Sequence, residues 1–347
     1  MKRIVYFFLI AILVSGFYYS TLPVEKDILQ TPKINGASLE SPHFELHSSD
    51  FVLLNDWNTE WVAIIPYAFS HATKPQVHFN HEFMWWGEKL NGVKTMIRLA
   101  HQQGIGVMLK PHVWISEGWV GDFLLDNEQD WEVWEDQYRS YVLAFAKLAE
   151  ETGVKLFCIG TEYKLAVKYR PHFWKDLIQE VRDVYSGKLT YAANWDNYQQ
   201  VTFWDELDYI GIDAYFPLVH QSNCSLEELK HAWKPLKVDI SEFSKQLGKP
   251  VLFTEYGYQS ADGATGNHWE IEKYGRVTNE ELQGIAYQAL FDTFWSEPWF
   301  AGGFWWKWHF GNRYLETRPT SFTPQGKKAE KVITDFYGKN RSLSNDQ

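Results

Sequence analysis

From Ile34 onward, short apolar runs of strand length alternate with longer stretches whose apolar residues recur every three or four positions. Eight runs carry the strand pattern: Asn35–Leu39, Trp61–Pro66, Ile105–Lys110, Val154–Ile159, Leu189–Ala193, Tyr209–Asp213, Pro250–Thr254 and Ala301–Trp306. Between them the clearest helical patterns cover Glu128–Glu151, His172–Tyr185, Leu226–Leu247 and Asn279–Trp295. The second of these places Phe173, Leu177, Ile178, Val181 and Val184 on a 3.6-residue period. Gly153, Gly187 and Gly248 each follow a helix and precede a strand, where a helix-ending glycine belongs. Repeated strand–helix alternation with short turns predicts a parallel sheet. Eight such units with no second zone of composition predict an α/β chain folded as one closed (β/α)8 TIM barrel over residues 34–338. No Gly-x-Gly-x-x-Gly opens the first helix, which speaks against a nucleotide fold.

The two ends read differently. Lys2-Arg3 followed by an apolar run from Ile4 to about Phe17 is the layout of an export signal. No small-x-small cleavage site follows, and Phe17-Tyr18-Tyr19 supplies interfacial aromatics. Residues 1–20 are therefore expected to be a signal peptide or an uncleaved membrane tether. Residues 21–33, polar with two prolines, read as a linker, and 339–347 as a frayed tail. The protein is expected to be exported: secreted, periplasmic or held at the membrane facing outward.

Composition narrows the partners. The chain carries 17% aromatic residues, 18 of them Trp, and a formal net charge of −11. That charge argues against nucleic acid, whose phosphates need basic patches. Aromatic faces stack on the C–H faces of sugar rings, so a minority of the rings is expected in a carbohydrate cleft and the majority in the core. Of the two cysteines, Cys158 lies in an apolar strand run and Cys224 in a polar loop, a spacing that gives no support for a disulfide. His78-x-x-His81-Glu82 reads as a solvated loop rather than a metal site. No metal or cofactor is expected, and the chain is expected to act as a monomer.

In a barrel the chemistry gathers at the C-terminal ends of the strands. The third strand is followed by Lys110, His112 and Trp114, and the fourth by Glu162. The fifth gives Asn194 and Trp195, the sixth Asp213 and Tyr215, and the seventh Glu255 and Tyr256. The eighth gives Trp305, Trp306 and Trp308. Adjacent strand residues face opposite sides, so Trp305 and Trp306 cannot both point inward. Trp305 or Trp308 is expected to be the sugar platform. Asp213 reads equally well as a substrate contact or as a buried partner for Lys110 or His112. Two carboxylates, Glu162 and Glu255, brought to one mouth by different strands are what cleavage of a glycosidic bond requires.

The segments Phe157-Cys-Ile-Gly-Thr-Glu-Tyr163, Leu189-Thr-Tyr-Ala-Ala-Asn-Trp-Asp196, Leu207-Asp-Tyr-Ile-Gly-Ile-Asp-Ala-Tyr-Phe-Pro217 and Lys249-Pro-Val-Leu-Phe-Thr-Glu-Tyr-Gly257 carry a closer likeness. With them the chain, from about Ile34 to Phe310, resembles glycoside hydrolase family 113, whose characterised members are β-mannanases. The resemblance implies a retaining clan with catalytic glutamates on strands four and seven, Glu162 as acid/base and Glu255 as nucleophile. Thr161 stands where many members of the broader clan have an Asn that bonds the sugar 2-hydroxyl, and Asn194 is assigned that contact instead. The implied substrate is a β-1,4-linked mannan-type polysaccharide or oligosaccharide.

A retaining pair stands roughly 5–5.5 Å apart, so that one carboxylate attacks C1 while the other protonates the leaving oxygen. Tyr215 is expected to hold Glu255 ionised through an O–H···O bond. Apolar neighbours and the charge of Glu255 are expected to keep Glu162 protonated. Two alternatives stay open on the sequence: the same mechanism on another β-linked glycan such as a glucan, and a catalytically silent carbohydrate-binding barrel.

Overall fold

A computed structural model describes residues 32–267, 269–271, 275–311 and 318–341. The expected signal or tether at 1–20 lies outside the described residues, as does most of the linker at 21–33. In chain order the elements are β1 (Ile34–Leu39), α1 (Ser48–Asp56), β2 (Trp61–Ile64), β3 (Tyr67–His71), β4 (Lys74–His78), α2 (Leu90–Gln102), β5 (Gly106–Leu109) and β6 (His112–Ser116). There follow α3 (Glu128–Thr152), β7 (Leu156–Thr161), α4 (Lys164–Tyr169), α5 (Pro171–Val184), β8 (Lys188–Asn194), β9 (Ile210–Asp213), α6 (Leu226–Leu247), β10 (Val251–Tyr256), α7 (Glu280–Phe294), β11 (Phe300–Trp308) and α8 (Lys328–Arg341).

Eight parallel strands close on themselves in the order β1-β11-β10-β9-β8-β7-β5-β2. These are the eight runs predicted from the sequence, and the fold is the (β/α)8 barrel. Strand alternation divides the apolar residues into two cores. Ala63, Met108, Leu156, Leu252 and Phe304 fill the barrel itself. Val62, Ile64, Val107, Phe157 and Phe253 face outward into the larger core under the helices. That outer core takes much of the aromatic content; Trp134 of α3, for example, stacks on Tyr138 with ring centroids 4.8 Å apart.

The helix ends follow the glycine pattern in two cases of three. Gly153 and Gly248 adopt left-handed φ of 70° and 62° at the ends of α3 and α6, a conformation that costs a residue with a Cβ. Gly187 does not, because α5 stops at Val184 with Tyr185 extended. Its lack of a side chain serves packing instead: a Cβ there would stand 2.2 Å from the Tyr185 hydroxyl. At the C-terminus α8 runs to Arg341, three residues past the predicted end of the barrel domain, and 342–347 lie outside the described residues.

One element has no counterpart in the sequence reading. β3, β4 and β6 form a second, three-stranded sheet beside the barrel mouth, in the order β4-β3-β6. β3 and β6 continue from barrel strands β2 and β5 and pair in parallel from Tyr67↔His112 to His71↔Ser116. The Tyr141 hydroxyl of α3 ties their starts together, 2.9 Å from the Pro66 carbonyl and 2.8 Å from that of His112.

Candidate active site

Both glutamates reach the cleft because their strands break phase. In β7 the pairing with β8 shifts register between Cys158 and Thr161. In β10 the pairings with β9 and β11 shift around Phe253–Tyr256. Irregularities of this kind re-aim side chains and gather at active sites. Glu162 also takes a left-handed φ of 55°. A β-carbon makes that conformation costly, so the surrounding structure must hold it; the Glu162 amide donates to the Ala192 carbonyl at 2.8 Å.

The cleft is lined by Tyr67, His112, Trp114, Trp119, Thr161, Glu162, Asp213, Glu255 and Trp306, among others. The environments of its two glutamates differ. Glu255 is buried and accepts hydrogen bonds from the Lys110 ammonium at 2.6 Å and from the Tyr215 hydroxyl at 2.8 Å. Lys110 is shared with Asp213 at 2.9 Å, and Thr254 donates to the same Asp213 oxygen at 2.8 Å. Among the described residues, the Glu162 carboxyl accepts one side-chain hydrogen bond, from the Trp119 indole N–H at 3.0 Å from Oε2.

Charge follows from these contacts. Burial, then the charges of Asp213 and Glu255, push the Glu162 carboxyl up to about 8. Burial and Asp213 also raise Glu255, to about 7, while Lys110 and Tyr215 pull it back. The cleft therefore favours the proton on Glu162 and the charge on Glu255. Glu255 is not held down to an ordinary carboxylate range, as the Tyr215 contact alone suggested; burial outweighs that bond. For Lys110 burial acts downward, but Asp213 and Glu255 override it and hold the ammonium above its ordinary range. His112 is held neutral, chiefly by burial and then by Lys110, with Nε2 3.4 Å from Glu255.

Three buried polar atoms lining the cleft have no hydrogen-bond partner among the described residues: Thr161 Oγ1, His112 Nε2 and Asp213 Oδ2. Among the described residues no group of three or more His, Cys, Asp or Glu is arranged to hold a metal ion. Cys158 and Cys224 are both free thiols, and His78 and His81 are an exposed ring pair 5.8 Å apart.

Several expected contacts need correction. Trp305 and Trp308 are not the sugar platform: both are buried against Trp57 on the outer side of β11, with centroids 5.4 and 5.3 Å from it. Of the three β11 tryptophans, the one whose ring lines the cleft is Trp306, parallel to His112 at 6.2 Å. Tyr256 also faces away, as the neighbour of an inward Glu255 must. Its hydroxyl lies 2.7 Å from that of Tyr337 on α8. Asn194, which ends β8, and Trp195 after it are not among the lining residues; the Asn194 amide donates to Asp196 and Trp195 packs on Phe216. Asp213 is the buried partner of Lys110.

Among the aromatic lining residues, the sequence reading missed Tyr67 and Trp119. Tyr67 follows Pro66 at the end of the second strand, in phase with the other strand ends, and that phase could have found it. Trp119 sits in Ser116-Glu-Gly-Trp-Val-Gly121, a loop without periodicity. Its one signal is a large ring placed among glycines, and a Cβ on Gly121 would stand 2.3 Å from that ring.

Known proteins resemble this chain in sequence and fold. The model of Glycoside Hydrolase Family 113 matches residues 45–327. The GH113 β-mannanase AaManA from Alicyclobacillus acidocaldarius, solved in complex with ManMIm, is 25% identical with a TM-score of 0.77, covering 91% of this chain and 99% of that one. A GH113 β-1,4-mannanase solved as a complex is 26% identical with a TM-score of 0.77, covering 89% and 99%. A β-glucuronidase from Faecalibacterium prausnitzii, 15% identical with a TM-score of 0.58 over 90% of this chain and 49% of that one, shares the barrel fold alone. No curated protein matches the sequence. With the family model matched over most of its length, the chain belongs to Glycoside Hydrolase Family 113.

Proposed function

We propose that this glycoside hydrolase cleaves β-1,4-linked mannan-type chains by double displacement, with Glu255 as nucleophile and Glu162 as acid/base. The observation that carries the role assignment is the unequal support of the two carboxylates. Glu255 receives an ammonium and a phenol, which favour its charge, while the half-buried Glu162 receives one indole N–H. In the first step Glu255 attacks C1 as Glu162 gives its proton to the leaving oxygen. The negative charge of Glu255 is then consumed in the ester bond, so the pKa of Glu162 falls and it becomes the base that activates water. Tyr67, His112 and Trp306 line the cleft beside the two glutamates, and Trp306 offers a sugar its ring face.

The mannan assignment rests on the two mannanase structures of the same family, each matched over nearly its whole length. An enzyme for an external polysaccharide fits the Lys2-Arg3 and apolar leader, and we place it outside the cytoplasm on that ground.

Paired substitutions test the roles. Glu255→Ala should abolish turnover on every substrate, and azide should restore product of inverted configuration. Glu162→Ala should lose on the order of 10²–10⁴-fold on polysaccharide, the usual worth of acid–base catalysis. It should largely spare the first step on aryl glycosides, and azide should rescue it with retained configuration. The opposite pattern would reverse the assignment, and near wild-type activity in both would end the catalytic reading. Comparing mannan with β-1,4-glucan as substrate decides the sugar.

A further inference from the structure

The cleft continues onto the accessory sheet. The register of β3 and β6 sets Tyr67 beside His112 and Phe69 beside Trp114, and alternation puts all four on one face. Ala68, Val113 and Ile115 occupy the opposite face and are buried. The inner pair touches the catalytic centre: the Tyr67 and His112 rings are 5.3 Å apart, and His112 approaches Glu255. The outer pair lies two residues further along, about 7 Å outward. It is open to solvent, with Phe69 38% and Trp114 60% exposed. Single exposed aromatics need no explanation, but here two lie in register on a face that is continuous with the lined cleft.

A third ring fixes which end of a substrate this face meets. Trp119, 38% exposed, lies on the loop that leaves β6 and holds Glu162 through its indole N–H. That loop is packed back on the β3–β4 turn, where a Cβ on Gly118 would meet Ala72 at 3.4 Å. A general acid must meet the leaving oxygen, so the ring bonded to it flanks the departing sugar.

We propose that Phe69 and Trp114 form an aromatic subsite for the leaving-group end of a β-linked chain of uncharged pyranoses. The inference rests on the assignment of Glu162 as acid/base. The outer ring faces stack on successive sugars beyond the scissile bond, so a chain that extends over the accessory sheet binds better than one that ends at the catalytic centre.

The test compares Trp114→Ala, Phe69→Ala and the conservative Trp114→Tyr in the full chain, with folding checked by circular dichroism. Substrates are graded manno- and gluco-oligosaccharides, with aryl glycosides that carry no sugar on the leaving side. Each alanine variant should lower kcat/KM on long oligosaccharides by roughly three- to tenfold more than on aryl glycosides, mainly through KM. In the alanine variants cleavage of a reducing-end-labelled hexasaccharide should move toward the label, and Trp114→Tyr should recover much of both effects. Equal losses on both substrate types, or an unchanged ratio with an unchanged cleavage position, would overturn the proposal. So would an unchanged ratio with loss of a dimer in sedimentation, which would make this face a contact between copies. Calorimetry of hexasaccharide binding in a Glu162→Gln background keeps the two readings apart. If the parent chain hydrolyses neither series, the proposed function fails, and weaker or unchanged binding by Trp114→Ala still decides the subsite.

Discussion

Lys110 is the cation that pairs with both Glu255 and Asp213 in the cleft. It is fully buried, bridges Glu255 and Asp213 at 2.6 and 2.9 Å, and is one of the groups that lower the Glu255 pKa. Lys110→Met should therefore move the acid limb of the kcat/KM profile to higher pH and leave two acids buried together. Breaking a buried ion pair from one side costs about 3–5 kcal/mol, which urea denaturation at neutral pH would read. The parent profile should be bell-shaped, since Glu255 must be ionised and Glu162 protonated. Glu162 also links activity to stability. Its folded pKa is raised from 4.5 to about 8, so the folded state holds a proton that the unfolded chain releases in that window. Stability is lost as the pH rises from about 4.5 to about 8. Glu162→Gln should then melt higher than the parent at pH 8, with the difference shrinking toward pH 4.5. A constant difference across that range would contradict this linkage. At this scale the sequence showed which carboxylates matter, because both follow predicted strands. It did not show which Trp of β11 turns inward, since the β1–β11 pairing breaks register between Ala37 and Leu39 and simple alternation cannot be counted through the break.

Elements position the site from both sides of the barrel wall. On the outer side, the Tyr337 hydroxyl of α8 donates to the Gly36 carbonyl at 3.0 Å and lies 2.7 Å from that of Tyr256, the residue after Glu255. Tyr337→Phe leaves two buried polar groups short of a partner and should cost about 1–3 kcal/mol. KM should stay near the parent value, because Tyr337 is buried away from the lined cleft; a matched loss of stability and KM would indicate that α8 shapes the site. The barrel strands and the longest helices were legible because burial on both faces of a strand, or on one stripe of a helix, leaves a long continuous pattern. The accessory sheet was not. Its strands have five residues each, β4 contains Pro75 and is largely uncovered, and β6 follows a barrel strand after only two residues. The Lys110, His112 and Trp114 series thus read as one strand end when it spans two sheets.

For the whole molecule, a closed barrel brings Glu162 and Glu255 to one mouth from residues 93 positions apart in sequence. Closure also leaves the strand edges of the barrel paired, so the mouth can tolerate the phase breaks that aim both carboxylates inward. The net charge of −11 and the aromatic lining suit a neutral, ring-shaped substrate better than a polyanion. The most direct measurement of this account is covalent trapping with a 2-deoxy-2-fluoro glycosyl fluoride, followed by peptide mass spectrometry and NMR of the product anomer. The account predicts one glycosyl adduct, on the peptide holding Glu255, and first-formed product of retained β configuration. An adduct on Glu162, or inverted product without any adduct, would contradict it.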